Sequence, residues 1–191
     1  MAIEVDLNCD MGESFGLYKI GNDEEMMKQV TSASVACGFH AGDPHVMKRT
    51  VDLAKKYGVA VGAHPGYPDP IGFGRRRLEV TPEEAGDYIL YQVGALQAFC
   101  EAAGLELQHV KPHGQLYNMA WKDEALARGI LEAIRQIKPE PIFLALYNTI
   151  PYEMAQSMRI QVVGEFYADL DYAPDGTTYI KKVHGEIDVE A

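Results

Sequence analysis

Residues 35–44 read VACGFHAGDP, and the order of residue types in this stretch points to one kind of fold. Small apolar residues (Ala33, Val35, Ala36) run into Cys37 and Gly38, and His40 follows between small neighbours. Asp43-Pro44 then supplies a helix start, with aspartate as the cap and proline at the first helical position, where its missing N–H costs nothing. A strand ends, a histidine stands at its tip, and a helix begins at once. The layout returns at residues 59–66 (VAVGAHPG), which deliver His64, and at residues 107–114 (LQHVKPHG), which deliver His113. Positions just past the carboxyl ends of successive parallel strands share one rim, so the three imidazoles are expected to converge.

Working outward, residues 3–8 alternate apolar and polar side chains (Ile3, Val5, Leu7) and predict a first strand. It leads into residues 6–16 (DLNCDMGESFG), where Asp6, Asp10 and Glu13 surround Gly12. Asp10 or Glu13 is expected on the histidine rim, although aspartates in such a loop also serve turns and caps. Asn22 or Asp23 caps a short helix over 22–30, and Asp43 starts a helix that runs to Tyr57, with Gly58 as its stop. A strand over 59–63 precedes a long Gly/Pro loop, 65–77, which ends in Arg75, Arg76 and Arg77. Guanidinium groups grip carboxylate or phosphate in a fork, so Arg75 and Arg76 are candidate anion contacts.

Thr81-Pro82-Glu83-Glu84 is a capping box with proline at the first helical position, opening a helix that Gly104 ends. Its stripe of Ile89, Leu90, Val93, Leu96 and Phe99 is core. After the third histidine strand come Lys111, a poor packing residue at a strand tip, and then Tyr117 and Asn118. A helix over 123–137, a strand over 142–146, a helix over 151–158 and a strand over 160–163 complete the pattern, followed by a turn signal at 174–176. Six strands alternating with helices predict a single α/β domain over 1–191 with a parallel sheet. A closed eight-unit barrel takes about 250 residues, so the expectation is an incomplete or shortened β/α barrel, with a doubly wound sheet as the alternative.

With 191 residues, 47% of them hydrophobic, the chain can bury about 70% of its unfolded surface. Lys plus Arg is 17 against Asp plus Glu 28, a net charge of -11, which repels phosphate backbones and argues against nucleic acid as a partner. Three cysteines without close spacing suit a reducing compartment rather than a disulfide framework. No signal-peptide pattern opens the chain and no apolar run is long enough for a bilayer, so no membrane partner and a cytoplasmic location are expected.

The assembled rim would hold Asp10 or Glu13, His40, His64, Lys111 and His113. Histidines with an acid suit a divalent metal of zinc type, with Asp10, His40, His64 and His113 as possible ligands. Without metal, the same groups serve as a carboxylate-oriented general base, and Lys111 stabilises developing negative charge. No HExxH or CxxC decides between the two. No GxSxG, GxGxxG or GxxxxGK[ST] is present, so a serine nucleophile elbow, a dinucleotide fold and a P-loop find no support.

Four blocks then carry a resemblance: DLNCDMGESFG (6–16), ACGFHAGDP (36–44), GAHPGYPD with GFGRR (62–69, 72–76) and VKPHGQLYN (110–118). In this order, across most of the chain, they resemble the signature of the LamB/YcsF family, whose members form the A subunit of an ATP-dependent 5-oxoprolinase. The resemblance implies a seven-stranded, deacetylase-like β/α barrel that opens the 5-oxoproline lactam to glutamate, with partner subunits B and C binding most of the ATP and this chain acting on 5-oxoproline or its phosphorylated form. It carries over Asp10, Glu13, His40, His64, Lys111 and His113 as catalytic residues, and Asp43, Arg75, Arg76, Tyr117, Asn118 and Asp169 as substrate contacts. Where the family block has arginine after Tyr167-Ala168-Asp169, this chain has Leu170. The resemblance also implies a barrel that continues past residue 191. The competing readings are a metal-dependent sugar deacetylase and a non-catalytic component that only binds the lactam.

Overall fold

The computed structural model describes residues 5–168, 170–172 and 178–179. Strands β1 (Asn8–Met11), β2 (Ser32–Ala36), β3 (Ala60–His64), β4 (Leu107–Val110), β5 (Ile142–Leu146) and β6 (Val162–Glu165) pair in that unbroken order, every pair parallel. Between them run α1 (Asp23–Met26), α2 (Pro44–Tyr57), α3 (Pro82–Ala103), α4 (Gly114–Ala120), α5 (Glu124–Gln136) and α6 (Ile150–Ser157). A strand order without reversal has no switch point, which excludes the doubly wound alternative, and right-handed crossovers then put the helices on one side. The result is an open half-barrel. A small antiparallel pair, β7 (Asp171–Tyr172) and β8 (Thr178–Tyr179), stands apart from it. The turn expected at 174–176 lies outside the described residues.

Local chemistry sets the element ends. The Asp43 carboxylate accepts from the backbone N–H groups of His45 and Val46, and Gly58 ends α2 at φ 70°, a left-handed turn natural to glycine. Thr81 and Glu84 form the reciprocal capping box of α3, which stops at Gly104 with φ 74°. Pairing of the first strand begins at Asn8 opposite Ser32, later than the alternation of Ile3, Val5 and Leu7 suggests. Val5 and Leu7 are 80% and 53% exposed, so that alternation faces no core. The shift moves Asp10 out of the loop and into the strand. Helix α1 is a single turn rather than a helix reaching Val30.

Successive side chains on a strand point to opposite faces. The convex face carries Ala33, Val35, Val61, Ala63, Val110, Phe143 and Ala145 into one core with α2, α3 and α5, whose Val51, Ile89, Val93, Leu96, Ile130 and Ile134 are buried. The concave face carries Asn8, Asp10, Ser32, Ser34, Gly62, His64, His109, Lys111 and Glu165. Apolar burial is thus satisfied on one side of the sheet, which leaves the other free for chemistry. Among the described residues no helix is long and apolar enough to cross a membrane.

Candidate active site

Each of the three histidines is held where its strand ends. His64 is the last residue of β3, His113 is the N-cap of α4, and His40 sits between β2 and α2, all three nearly inaccessible. The His40 and His113 rings stack, and His64 stands edge-on to both, with centroids 5.5 and 4.8 Å away. Two glycines admit this packing. A Cβ on Gly66 would lie 2.8 Å from His40 Nδ1, and one on Gly74 would lie 2.7 Å from His40 Cβ and 2.8 Å from His113 Cδ2. Gln92 of α3 clamps Gly66 from behind, its Oε1 accepting from Gly66 N (3.0 Å) and its Nε2 donating to Gly66 O (2.9 Å).

Backbone carbonyls assign the protons on two of the rings. His64 Nδ1 donates to Lys111 O at 2.6 Å, and His113 Nε2 donates to Phe73 O at 2.8 Å. The remaining nitrogens, His64 Nε2 and His113 Nδ1, face each other at 2.9 Å. Two lone pairs at that distance repel, so the pair is built around a shared positive species, either a proton on His64 Nε2 or a metal ion. His40 Nε2 lies 3.4 Å from Glu13 Oε1, and its buried Nδ1 has no hydrogen-bond partner among the described residues. Burial, reinforced by the His64 charge, pushes His40 and His113 down to about 2, so both rings are neutral at ordinary pH.

Glu13, His40, His64 and His113 bring one ligand atom each to within 4.8 Å of one another. This donor set fits a zinc-type ion, and the carbonyl partners of His64 and His113 are the outer bonds that orient metal-bound imidazoles. The carboxylate in the set is Glu13, not the Asp10 expected from the sequence. Burial raises the Glu13 pKa above the usual carboxylate value.

Asp10 instead bridges His64 and Lys111, with Oδ2 3.3 Å from His64 Nε2 and Oδ1 2.7 Å from Lys111 Nζ. Its side chain stays 37% exposed. Desolvation by the surrounding strands works to raise its pKa, but the charges and hydrogen bonds of His64 and Lys111 outweigh it and hold the carboxyl well below the usual range. Burial likewise opposes the Lys111 charge, and the Asp10 and Glu165 carboxylates overcome it, raising the ammonium pKa. Glu165 Oε2 lies 3.8 Å from Lys111 Nζ, and Glu165 Oε1 accepts from Tyr167 OH at 2.8 Å.

The other expected substrate contacts divide. Arg75 reaches over the Phe73 ring, its guanidinium carbon 5.3 Å from the centroid at the mouth of the site. Arg76 instead turns back to the buried Asp69, to which both its Nε and a terminal nitrogen donate, so it staples the 65–77 loop. Asp43 spends its carboxylate on the backbone N–H groups of His45, Val46 and Gly16. Tyr117 is buried beneath the site, its hydroxyl accepting from Leu146 N. Asn118, further along α4, makes no hydrogen bond to the cluster among the described residues, and Asp169 lies outside them. Glu165, Asn8, His109 and Gln92 are the residues that sequence reasoning missed. The place of Glu165 at the carboxyl end of β6 was a usable signal. On the Glu13 and His40 side the site opens into a cavity of about 280 Å³ walled by Phe15, Tyr18, Ile20, Ile71 and Phe73.

The sequence profile of the LamB/YcsF family matches residues 5–190. The 5-oxoprolinase A subunit from Thermococcus onnurineus is 58% identical over 185 residues, covering 97% of this chain and 72% of that protein. Its counterpart from Pyrococcus horikoshii is 59% identical over 175 residues, covering 92% of this chain and 69% of that protein. The crystal structure of a lactam utilization protein from Thermus thermophilus superposes with a TM-score of 0.90 at 45% identity, covering 94% of this chain and 72% of the other.

Proposed function

Because the chain belongs to the LamB/YcsF family, we propose that it is the lactam-opening component of an ATP-dependent 5-oxoprolinase that works with partner subunits B and C in the cytoplasm. The observation that carries this reading is the meeting of three imidazoles and Glu13 within 4.8 Å, beside a lysine held by Asp10 at 2.7 Å, all on one rim of the half-barrel. A five-membered lactam is a stabilised amide. Transfer of phosphate from ATP to its carbonyl oxygen, on the partners, makes the ring carbon electrophilic.

On this chain water then adds to that carbon, forming a C–O bond, and a neutral imidazole or the Glu13 carboxylate accepts its proton. Lys111 stabilises the charge that develops on oxygen, in a site whose polar groups are already oriented. Delivery of a proton to the ring nitrogen lets the C–N bond break, leaving a γ-glutamyl phosphate. A second water hydrolyses it to glutamate and phosphate. The apolar cavity receives the ring methylenes, and Arg75 takes the substrate carboxylate.

A second reading rests on the opposed lone pairs of His64 and His113: the same site in metal form, held by Glu13, His40, His64 and His113. A bound divalent ion would act as a Lewis acid toward the carbonyl. The deciding experiment combines this chain with subunits B and C, ATP and 5-oxoproline, and follows glutamate. Release that falls at least about 100-fold in His113→Ala and Lys111→Ala is expected. Release unchanged in both variants would overturn the proposal, and loss with chelator, restored by zinc, selects the metal form.

A further inference from the structure

Beneath the reactive rim, on the same concave face, lies a layer of polar side chains that the chemistry above does not use. Ser32 and Ser34 are fully buried and His109 is 1% exposed, so their donors and acceptors must be satisfied within the layer. The bonds fix one orientation of the Asn8 amide. An ionised carboxylate only accepts, so Ser32 Oγ donates to Asp6 Oδ2 at 2.7 Å. The Asn8 atom 2.7 Å from Ser32 Oγ is therefore a donor, Nδ2.

The other end of the layer agrees. His109 Nδ1 faces the Gln108 Oε1 acceptor at 3.1 Å and carries the ring proton, which leaves Nε2 as an acceptor shared between Ser34 Oγ at 3.1 Å and Asn8 Nδ2 at 3.4 Å. With both N–H groups spoken for, Asn8 Oδ1 is turned to Ser34 Oγ (3.0 Å) and Lys111 Nζ (3.3 Å). The His109 ring itself is fixed from below, since it lies over Gly62 where a Cβ would come within 2.1 Å of it.

We propose that Asn8, locked in one amide orientation by Ser32 and neutral His109, is a positioning residue that sets where the Lys111 ammonium is presented to the reacting oxygen. A lysine stem is flexible, and its charge helps a transition state only when its place is set in advance. Asp10 and Asn8 each take one of its three N–H bonds, and the third is left for Glu165 and the reacting oxygen. A flipped amide would set its NH2 group against the ammonium and its oxygen against Ser32 Oγ, and the Ser32 bond at 2.7 Å keeps the carbonyl in place. This inference rests on the role proposed above for Lys111.

The test uses the full chain as wild type and as Asn8→Ala, His109→Leu, His109→Gln and the milder Ser34→Ala, each checked for unchanged thermal unfolding. The first readout is the slowly exchanging Lys111 ammonium signal in a proton–nitrogen spectrum, assigned with Lys111→Met. It is expected to shift or vanish in Asn8→Ala and His109→Leu, and to return in His109→Gln, whose side-chain oxygen replaces the lost acceptor. The second is glutamate release with subunits B and C, where kcat is expected to fall about 10- to 100-fold in Asn8→Ala with KM unchanged. An ammonium signal and a kcat that both match wild type in Asn8→Ala would overturn the proposal. If the wild-type complex releases no glutamate, the proposed function fails. The ammonium signal alone then decides the positioning: loss in Asn8→Ala supports it, and an unmoved signal overturns it.

Discussion

His40 and His113 lie face to face, their ring centroids 3.6 Å apart and their planes 3° from parallel. Two imidazolium ions at that spacing, out of water, would repel strongly, and burial keeps both rings neutral. On the far side of the cluster Asp10 touches His64 Nε2 at 3.3 Å and the Lys111 ammonium at 2.7 Å. The cluster thus presents two uncharged nitrogen bases beside one organised cationic corner, the division that addition of water to a carbonyl-type carbon needs.

Buried neutral histidines make the fold sensitive to acid. His109 is pushed down to about 4 by burial, from 6.5 in an exposed ring. Between those two values the unfolded chain binds a proton that the native chain refuses, so stability rises with pH across this window and is fully present above it. Each such proton contributes a slope of about 1.4 kcal/mol per pH unit. Urea titrations from pH 4 to 7 are expected to show a slope shallower by up to that amount in His109→Gln than in wild type. Equal slopes would show that His109 titrates alike in both states.

Glycine substitutions should separate by location. A Cβ on Gly74, already at φ 64°, would strike His40 and His113, so Gly74→Ala is expected to cost about 1–3 kcal/mol by overpacking. At Gly94, inside α3, no atom of the described residues outside its own helix backbone and chain neighbours lies within 4 Å of an added Cβ, and Gly94→Ala should stabilise by about 0.5–1 kcal/mol. Chemical denaturation of both variants gives the two signs. A harmless Gly74→Ala would mean that the stacked pair has room to move.

Asp43 is expected to act through the helix rather than the substrate. Asp43→Ala removes acceptors for three backbone N–H groups and should lower stability by about 1–2 kcal/mol, most of it recovered in Asp43→Ser, which keeps a capping oxygen. Glutamate release by Asp43→Ser at saturating substrate should match wild type. A fall there without a matching loss of stability would return Asp43 to the substrate.

The opposed nitrogens of His64 and His113 predict binding of a divalent ion. Zinc added to chelator-treated chain at about a hundredfold excess over its Kd is expected to stabilise it by about 2.7 kcal/mol, seen as a rise in the unfolding midpoint. Glu13→Gln and His64→Ala should each reduce that rise. If the midpoint does not move with zinc, cobalt or manganese, the pair shares a proton instead.

Much of this was legible in the chain before folding. The cap at Asp43, the box at Thr81 and Glu84, and the stops at Gly58 and Gly104 act within a turn of their own residues, so local chemistry determines them. The first strand was displaced because the exposed Val5 and Leu7 alternate without a buried face to meet. The identity of the acid beside the histidines was not legible, since Asp10 and Glu13 are equivalent until the shifted strand commits Asp10 to Lys111. Arg76 looked like an anion contact until Asp69 claimed it.

By itself the sequence determined that strands would end in histidines and helices would begin just beyond them, because capping, glycine stops and side-chain alternation operate over a few residues. Only the tertiary structure decided which atoms of those histidines face one another, which carboxylate joins them, that Asp10, Asn8 and Glu165 surround one lysine, and that Ser34 and His109 lie behind Asn8. Those relationships depend on the register between strands more than seventy residues apart along the chain and on the curvature that turns one face of the sheet inward, and neither is set by any short stretch of the sequence.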